Sequence, residues 1–280
     1  MRGLVIALFV LASIPAVAAD PTARLIDVRG SHLHVETEGN GPPTVFLHGG
    51  LQYFDNTFPA QRAYFAAFRQ VIGIDQAGHG HSPDDGQPFS YRKMADDVAA
   101  VIERLGVGPV DVVGESDGGD VGLLLARDHP TLVRRLVITG ANLGPGLAPD
   151  ELQRRLAWSD AQVAAKMAAM EQQMPPRFRT DYEAVTPDGA AHWPAFLVKS
   201  YRLWLTPVVI DAVGLKAIAA PVLVIAGDHD FTSIEETTTI FRGIPKAQLM
   251  IVPGTGHGTL QDRPALLNLA VREFLEAPAK

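Results

Sequence analysis

The chain has 280 residues, 47% of them hydrophobic and 20% charged, with no cysteine and a formal net charge of -7. This composition excludes a disordered chain, and the missing cysteine excludes disulfide scaffolds, zinc-thiolate and iron–sulfur sites and a cysteine nucleophile. The mildly acidic balance speaks against a nucleic-acid partner, which calls for a basic face.

The chain opens with Met1-Arg2-Gly3, an apolar run from Leu4 to Ile14, and Pro15-Ala16-Val17-Ala18-Ala19-Asp20. A short positive region, an apolar stretch and small residues before a polar start are the layout of a secretory signal peptide. We therefore expect a signal peptide over residues 1–19, cleaved after Ala18 or Ala19, and export to a periplasmic or extracellular space. A retained anchor is the competing reading, but the run is short of the roughly 20 residues that span a bilayer. No second apolar run is long enough to span, so no stable membrane insertion is expected after cleavage.

From Arg24 onward, short strands alternate with helices. Arg24 to Val28 and Leu33 to Thr37 read as an antiparallel pair turning near Gly30, and Val45 to Leu47 as a strand entering a glycine pair. Phe58 to Phe68 reads as a helix and Val71 to Ile74 as a strand. Tyr91 to Leu105 places Met94, Val98, Val101, Ile102 and Leu105 on one helical face, with Gly106 to end it. Val110 to Val113, Leu136 to Ile138, Val222 to Ala226 and Gln248 to Val252 complete the strands, and a last helix spans about Pro264 to Leu275. Strands separated by helix-length segments predict a mostly parallel sheet covered on both faces, with function at the carboxyl ends of its strands. The segment 144–214 breaks the rhythm. It holds no strand pattern, and Ser159 with Gln162 forms a capping-box pattern. A helical excursion between two strands of one sheet reads as a cap.

Gly114-Glu115-Ser116-Asp117-Gly118 follows a buried strand and opens a helix. In G-x-S-x-G the turn is so sharp that side chains two residues either side of the serine would clash, and the serine hydroxyl stands above the sheet at a helix N-terminus. A serine hydroxyl needs a base to become a nucleophile. His257, in Pro253-Gly254-Thr255-Gly256-His257-Gly258, is the histidine in a late strand–loop–helix setting. The base needs an acid to hold its tautomer. Gly227-Asp228-His229-Asp230 follows a strand, and Asp230 is the chosen acid with Asp228 as competitor. The oxyanion needs two backbone donors: Asp117 N–H, just after the nucleophile, and Gly50 N–H in His48-Gly49-Gly50-Leu51. His48 reads as a buried loop-stabilising residue rather than a catalyst. Leu51, Trp158, Trp204 and Asp117 are candidate substrate contacts, while Met167, Met170 and Met174 fit one helical face and read as packing.

These motifs resemble the α/β-hydrolase family over nearly all of the chain beyond the leader. The elbow is joined by His48-Gly49-Gly50, by Asp75-Gln76-Ala77-Gly78-His79-Gly80-His81-Ser82, by Gly227-Asp228-His229-Asp230 and by Gly256-His257. The resemblance implies an α/β fold: a mostly parallel eight-stranded sheet, helices on both faces, and a helical cap inserted after strand 6. It implies a core of residues 20–143 and 215–280 and a cap of 144–214, with Asp75 and the Gly78-His79-Gly80 turn structural. Dehalogenases and epoxide hydrolases carry aspartate where Ser116 stands, which disfavours both. Ser116-Asp117-Gly118-Gly119 with Gly140-Ala141-Asn142 is similar to the valacyclovir-hydrolase-like subgroup, in which the acid at Asp117 recognises a substrate α-ammonium. The competing role for Asp117 is to favour the helix N-terminus. Asp120 could assist it, or could sit exposed on the first helical turn.

The resulting expectation is an exported, carboxylesterase-like serine hydrolase that cleaves small-molecule esters through an acyl-enzyme. No metal, organic cofactor or nucleic acid is expected to take part. The same triad could serve a proline-iminopeptidase-like aminopeptidase, a cofactor-free perhydrolase or a carbon–carbon bond hydrolase. A non-enzymatic ligand-binding scaffold is the remaining alternative.

Overall fold

The computed structural model describes residues 21–206 and 210–278. The expected signal peptide lies outside the described residues. In chain order the elements are β1 (Thr22–Val28), β2 (Ser31–Glu38), β3 (Pro43–Leu47), α1 (Phe54–Thr57), α2 (Pro59–Phe65), β4 (Gln70–Ile74), α3 (Tyr91–Leu105), β5 (Val110–Glu115), α4 (Asp117–Asp128) and β6 (Val133–Thr139). Then follow α5 (Pro149–Leu156), α6 (Asp160–Glu171), α7 (Arg177–Val185), α8 (Trp193–Trp204) and α9 (Ala212–Ala217). The chain returns through β7 (Val222–Gly227), α10 (Ile234–Gly243), β8 (Ala247–Val252), α11 (Thr259–Asp262) and α12 (Pro264–Glu276).

The eight strands form one sheet in the order β1-β2-β4-β3-β5-β6-β7-β8. β2 runs antiparallel to β1 and to β4, and the remaining neighbours are parallel. This is the α/β-hydrolase architecture with helices on both faces. The central strands carry apolar runs such as Val112–Val113, Leu136–Ile138 and Val222–Ala226 because both faces are covered. Val112, Leu136 and Val224 pack with α3 and α4 on one side, and Phe46, Val113 and Ile225 pack with α2 and α12 on the other. α3 runs from Tyr91 to Leu105 because Ser90 caps its first turn and Gly106, at φ +67°, ends it.

Two local readings change. The helix expected from Phe58 to Phe68 is shorter: α2 covers Pro59–Phe65, α1 is an additional short helix before it, and the chain then turns so that Arg69 reaches the buried Asp111. A buried ion pair at the end of that turn outweighs continued helical periodicity. The helices α10 and α11 add to the elements legible from the pattern.

Between β6 and β7, the helices build a second apolar cluster. Val163 and Met167 of α6 meet Tyr182 of α7 and Trp193, Phe196 and Leu197 of α8, and Leu51 from below joins them. Each such side chain contributes about 1.5–3 kcal/mol on full burial. Ser159 and Gln162 form the expected reciprocal capping box of α6. α9 behaves differently: its Leu215 packs with the sheet's own core. The excursion is tied down by Asp84, in the loop after β4, whose carboxylate meets Lys199 Nζ at 2.5 Å and His192 Nε2 at 3.1 Å. Among the described residues, no helix is long and apolar enough to cross a membrane.

Candidate active site

β5 ends at the carboxyl edge of the sheet, and Ser116 follows it with φ 51° and ψ -120°. Such a backbone, rare for a residue with a Cβ, costs on the order of 1–3 kcal/mol and persists only where the surroundings enforce it. Gly114 and Gly118 do so: a Cβ on Gly118 would collide with Leu47 O, and one on Gly114 with Gly118 O. α4 then begins at Asp117; the N–H groups of Gly119 and Asp120 turn back to Ser116 O, which leaves those of Asp117 and Gly118 without intrahelical partners beside the serine.

The loops after β7 and β8 bring two further groups to the same edge. Ser116 Oγ lies 2.8 Å from His257 Nε2, and His257 Nδ1 lies 2.8 Å from Asp230 Oδ1. The chain of hydrogen bonds fits a neutral imidazole that accepts from Oγ–H and donates from Nδ1. Asp228 points elsewhere: its Oδ1 accepts the N–H groups of Gly254 and Thr255 and so shapes the loop that carries His257. The exposed ring of Phe231 stacks on His257 with centroids 4.0 Å apart. Burial opposes charging of His257, but the Asp230 hydrogen bond and the negative fields of Glu115, Asp230 and Asp117 outweigh it and raise its pKa.

Gly50 and Asp117 line the cavity that Ser116 opens into. The peptide between Gly49 and Gly50 is held by its carbonyl, which accepts from His48 Nδ1–H at 2.8 Å and from Gln52 N–H at 3.3 Å. In a trans peptide the Gly50 N–H points the opposite way. His48 Nε2 in turn accepts the Gln76 N–H at 3.0 Å, and burial lowers its pKa, so His48 is a neutral strut beneath this loop.

The cavity measures about 450 Å³. Leu51, Met170, Met174, Phe178, Trp204 and Phe231 give it apolar walls, while Glu115, Asp117 and Glu236 are its acidic lining residues. Among the described residues, neither lysine nor arginine lines it. Leu51 and Trp204 thus stand where a substrate contact was expected. Trp158 does not: it stacks on Tyr201 and lies under Arg155, away from the cavity. Its place is set by packing within the excursion rather than by the site. The methionines divide, with Met167 buried among the helices between β6 and β7 and Met170 and Met174 facing the cavity.

Asp117 is buried, with one carboxylate oxygen accepting from Tyr91 OH at 2.9 Å and the other from Trp204 Nε1 at 3.0 Å. Burial raises its pKa against these two hydrogen bonds. Asp120 is also buried, not exposed as one reading of it had it, and accepts the Asn142 N–H at 2.8 Å. Glu115 went unnoticed in the sequence. Its one signal was a charged residue closing an otherwise buried strand. Burial pushes its pKa up to about 7, although His257 and the Gly49 N–H pull it back.

For a metal, His34, Glu36 and His81 come together, with ligand atoms within 4.8 Å of one another. These side chains already have partners. Arg62 donates to Glu36 at 2.7 Å, and His81 Nδ1 lies 3.1 Å from Asp75.

The family model for the α/β hydrolase fold matches residues 42–208, more than half of the chain. The chain belongs to the α/β-hydrolase family. It is 27% identical over 259 residues to the sn-1-specific diacylglycerol lipase ABHD11 of Mus musculus, covering 84% of this chain and 81% of that protein. It is 27% identical over 269 residues to the 2-hydroxymuconate semialdehyde hydrolase of Pseudomonas putida, covering 90% and 93%. Among solved structures, a hydrolase from Pseudomonas aeruginosa superposes with a TM-score of 0.73 at 24% identity, covering 91% of this chain and 98% of that one. At that identity the likeness speaks to the fold alone. The relatives are hydrolases, and so is this chain.

Proposed function

We propose that this hydrolase cleaves carboxylic esters of small molecules through an acyl-enzyme on Ser116. The observation that carries the reading is the unbroken line Ser116 Oγ, His257 Nε2, His257 Nδ1, Asp230 Oδ1, with two contacts of 2.8 Å. In this reading Oγ attacks the carbonyl carbon while its proton passes to Nε2. Asp230 holds the ring and stabilises the imidazolium. The N–H groups of Gly50 and Asp117 receive the oxyanion, each worth about a hundredfold or more in rate. As the tetrahedral species collapses, Nε2 gives its proton to the departing alkoxide. Water, deprotonated by the same nitrogen, then attacks the acyl carbon and frees Ser116 and the acid.

The relative named for 2-hydroxymuconate semialdehyde keeps the carbon–carbon reading as the second hypothesis. A muconate carries a carboxylate, however, and this cavity offers acidic lining residues and no lysine or arginine among the described residues. That contrast favours an uncharged or cationic ester. The leader reading adds that the chain is exported after cleavage near Ala18 or Ala19, which N-terminal sequencing of protein recovered outside the producing cytoplasm tests.

The deciding experiment sets the parent beside Ser116→Ala on nitrophenyl esters of increasing acyl length and on amino-acid esters with free and blocked amines. A peptide, a vinylogous diketone and a peroxide-dependent halogenation assay complete the panel. Ester turnover by the parent alone supports the proposal. Turnover confined to the peptide, the diketone or the halogenation assay transfers the triad to that chemistry, and tight binding without turnover points to a retired scaffold. A preference for free amines assigns the ammonium to Asp117.

A further inference from the structure

Glu115 adjoins Ser116 and is buried to 3% exposure. Among the other acids around the site, Asp117 has donors on both oxygens, Tyr91 and Trp204, whereas Asp230 (His257 and the Thr232 N–H on Oδ1) and Asp120 (the Asn142 N–H on Oδ1) each keep a buried Oδ2 without a hydrogen-bond partner. Glu115 has the Gly49 N–H, and its Oε2 has no hydrogen-bond partner. That oxygen is pressed onto the loop below the cavity, since a Cβ added to Gly49 would collide with it and would lie 2.8 Å from Gln52 Oε1. A buried carboxyl short of partners is expensive to keep, whereas a glutamine of the same shape would pack as well. The charged groups facing it are His257 from the loop after β8, Asp117 from α4 and Asp230 from the loop after β7. The first of these is the one whose charge changes during ester hydrolysis.

We propose that Glu115 is a positioning residue of this site, holding the Gly49 N–H so that the Gly49–Gly50 loop is fixed from beneath and supplying the negative field that stabilises protonated His257. The proposal rests on the serine-hydrolase reading. Two struts then grip one loop from opposite sides. His48 takes the Gly49 carbonyl, and Glu115 takes the Gly49 N–H, leaving the Gly50 N–H aimed at the oxyanion position. The field acts when the proton of Ser116 reaches Nε2, because an anion nearby favours the imidazolium over the neutral ring. Asp230 does the same through a direct hydrogen bond, and Glu115 does it through space.

The test compares the parent with Glu115→Gln and Glu115→Ala on one nitrophenyl ester from pH 5 to 10. Glutamine keeps an acceptor for the Gly49 N–H and removes the charge. We expect Glu115→Gln to lower kcat severalfold at unchanged KM and to move the acid limb of kcat/KM downward by about half a unit or more. Glu115→Ala also loses the acceptor and should lose about tenfold more in kcat. Imidazole NMR of His257 reads the same field without turnover, and its midpoint should fall by a similar amount in Glu115→Gln. A Glu115→Gln enzyme whose kcat, acid limb and His257 titration all coincide with the parent's would overturn the proposal, leaving Glu115 a neutral space-filler. Should Glu115→Ala not fold, the glutamine variant decides alone. Failure of the serine reading looks different: the parent has no ester turnover, or Ser116→Ala keeps it, and the NMR titration still judges the field.

Discussion

Asp230 and Asp228 lie two residues apart in one loop, and their substitutions should separate cleanly. Asp230 Oδ1 touches His257 Nδ1, so Asp230→Asn should remove the preference for the productive tautomer and lower kcat by about 10³–10⁴-fold. Asp228 touches two backbone N–H groups, and asparagine can still accept one through its carbonyl, so Asp228→Asn should cost severalfold at most. Stopped-assay kinetics on one ester measures both, and the reverse order would transfer the acid's role to Asp228. The pH dependence follows from the same ring. His257 must be neutral to accept the Ser116 proton and its pKa is raised, so kcat/KM should climb with pH and reach half its plateau above the ordinary imidazole value of about 6.5. Stability should respond in the opposite sense at Glu115. Its pKa in the fold, about 7, exceeds the ordinary 4.5, so the native state holds a proton that the unfolded chain releases. The stability tied to that proton is present below about pH 4.5 and is lost as pH rises through 7. Glu115→Gln should therefore unfold at higher denaturant than the parent at pH 8, by about 2–4 kcal/mol, with the gap closing near pH 4.

The strand β5, its turn and α4 show which features an element can declare in advance. The four residues Val110 to Val113 already read as a buried strand, and glycines at 114 and 118 already marked the sharp turn. The collision that a Cβ on Gly118 would make with Leu47 O accounts for that spacing. Gly118→Ala should accordingly destabilise the fold by several kcal/mol and slow Ser116 labelling by a fluorophosphonate, because backbone on backbone has no rotamer to yield. Equilibrium unfolding beside labelling kinetics reports both. The residues of the main line were legible for the same reason: each sits in a short motif at a strand end, where local sequence sets the backbone. Trp158 and Met170 were not legible. Both lie on or beside helices whose apolar faces look alike in sequence, and which face meets the cavity depends on how α6 and α8 pack against each other and over the loops that carry Leu51, His79 and Phe89. Trp158 turned to Tyr201, while Met170 turned to the cavity. Glu115 escaped notice because its meaning comes from Gly49, 66 positions earlier in the sequence.

At the scale of the whole molecule, the cavity lies between a core whose acids are buried and an excursion that supplies mainly apolar walls. The excursion stays seated through Lys199 and His192 on Asp84, and Lys199→Met removes the stronger half of that tie while keeping the aliphatic stem. The variant should raise KM for long acyl esters more than it lowers kcat, and lose about 1–3 kcal/mol of stability, between the limits for exposed and buried pairs. The charge of the cavity then decides among substrates. Glu115, Asp117 and Glu236 line it, and among the described residues no lysine or arginine does. A carboxylate carried into this space meets like charge, and at an effective dielectric near 20 each such pair several ångströms apart opposes binding by about 1–3 kcal/mol. The three acids do not weigh equally, since burial raises the pKa of Glu115 to about 7 and so weakens its charge near neutral pH. One effective anion is enough for the prediction. A nitrophenyl hemi-ester of a dicarboxylic acid should be hydrolysed about 10–100-fold more slowly in kcat/KM than the neutral ester of equal length, and added salt should narrow the gap only in part because Glu115 and Asp117 are buried while Glu236 is half-buried. The same comparison at pH 6 and pH 9 should show the penalty growing as Glu115 ionises, whereas a discrimination set by shape alone would be flat across that range.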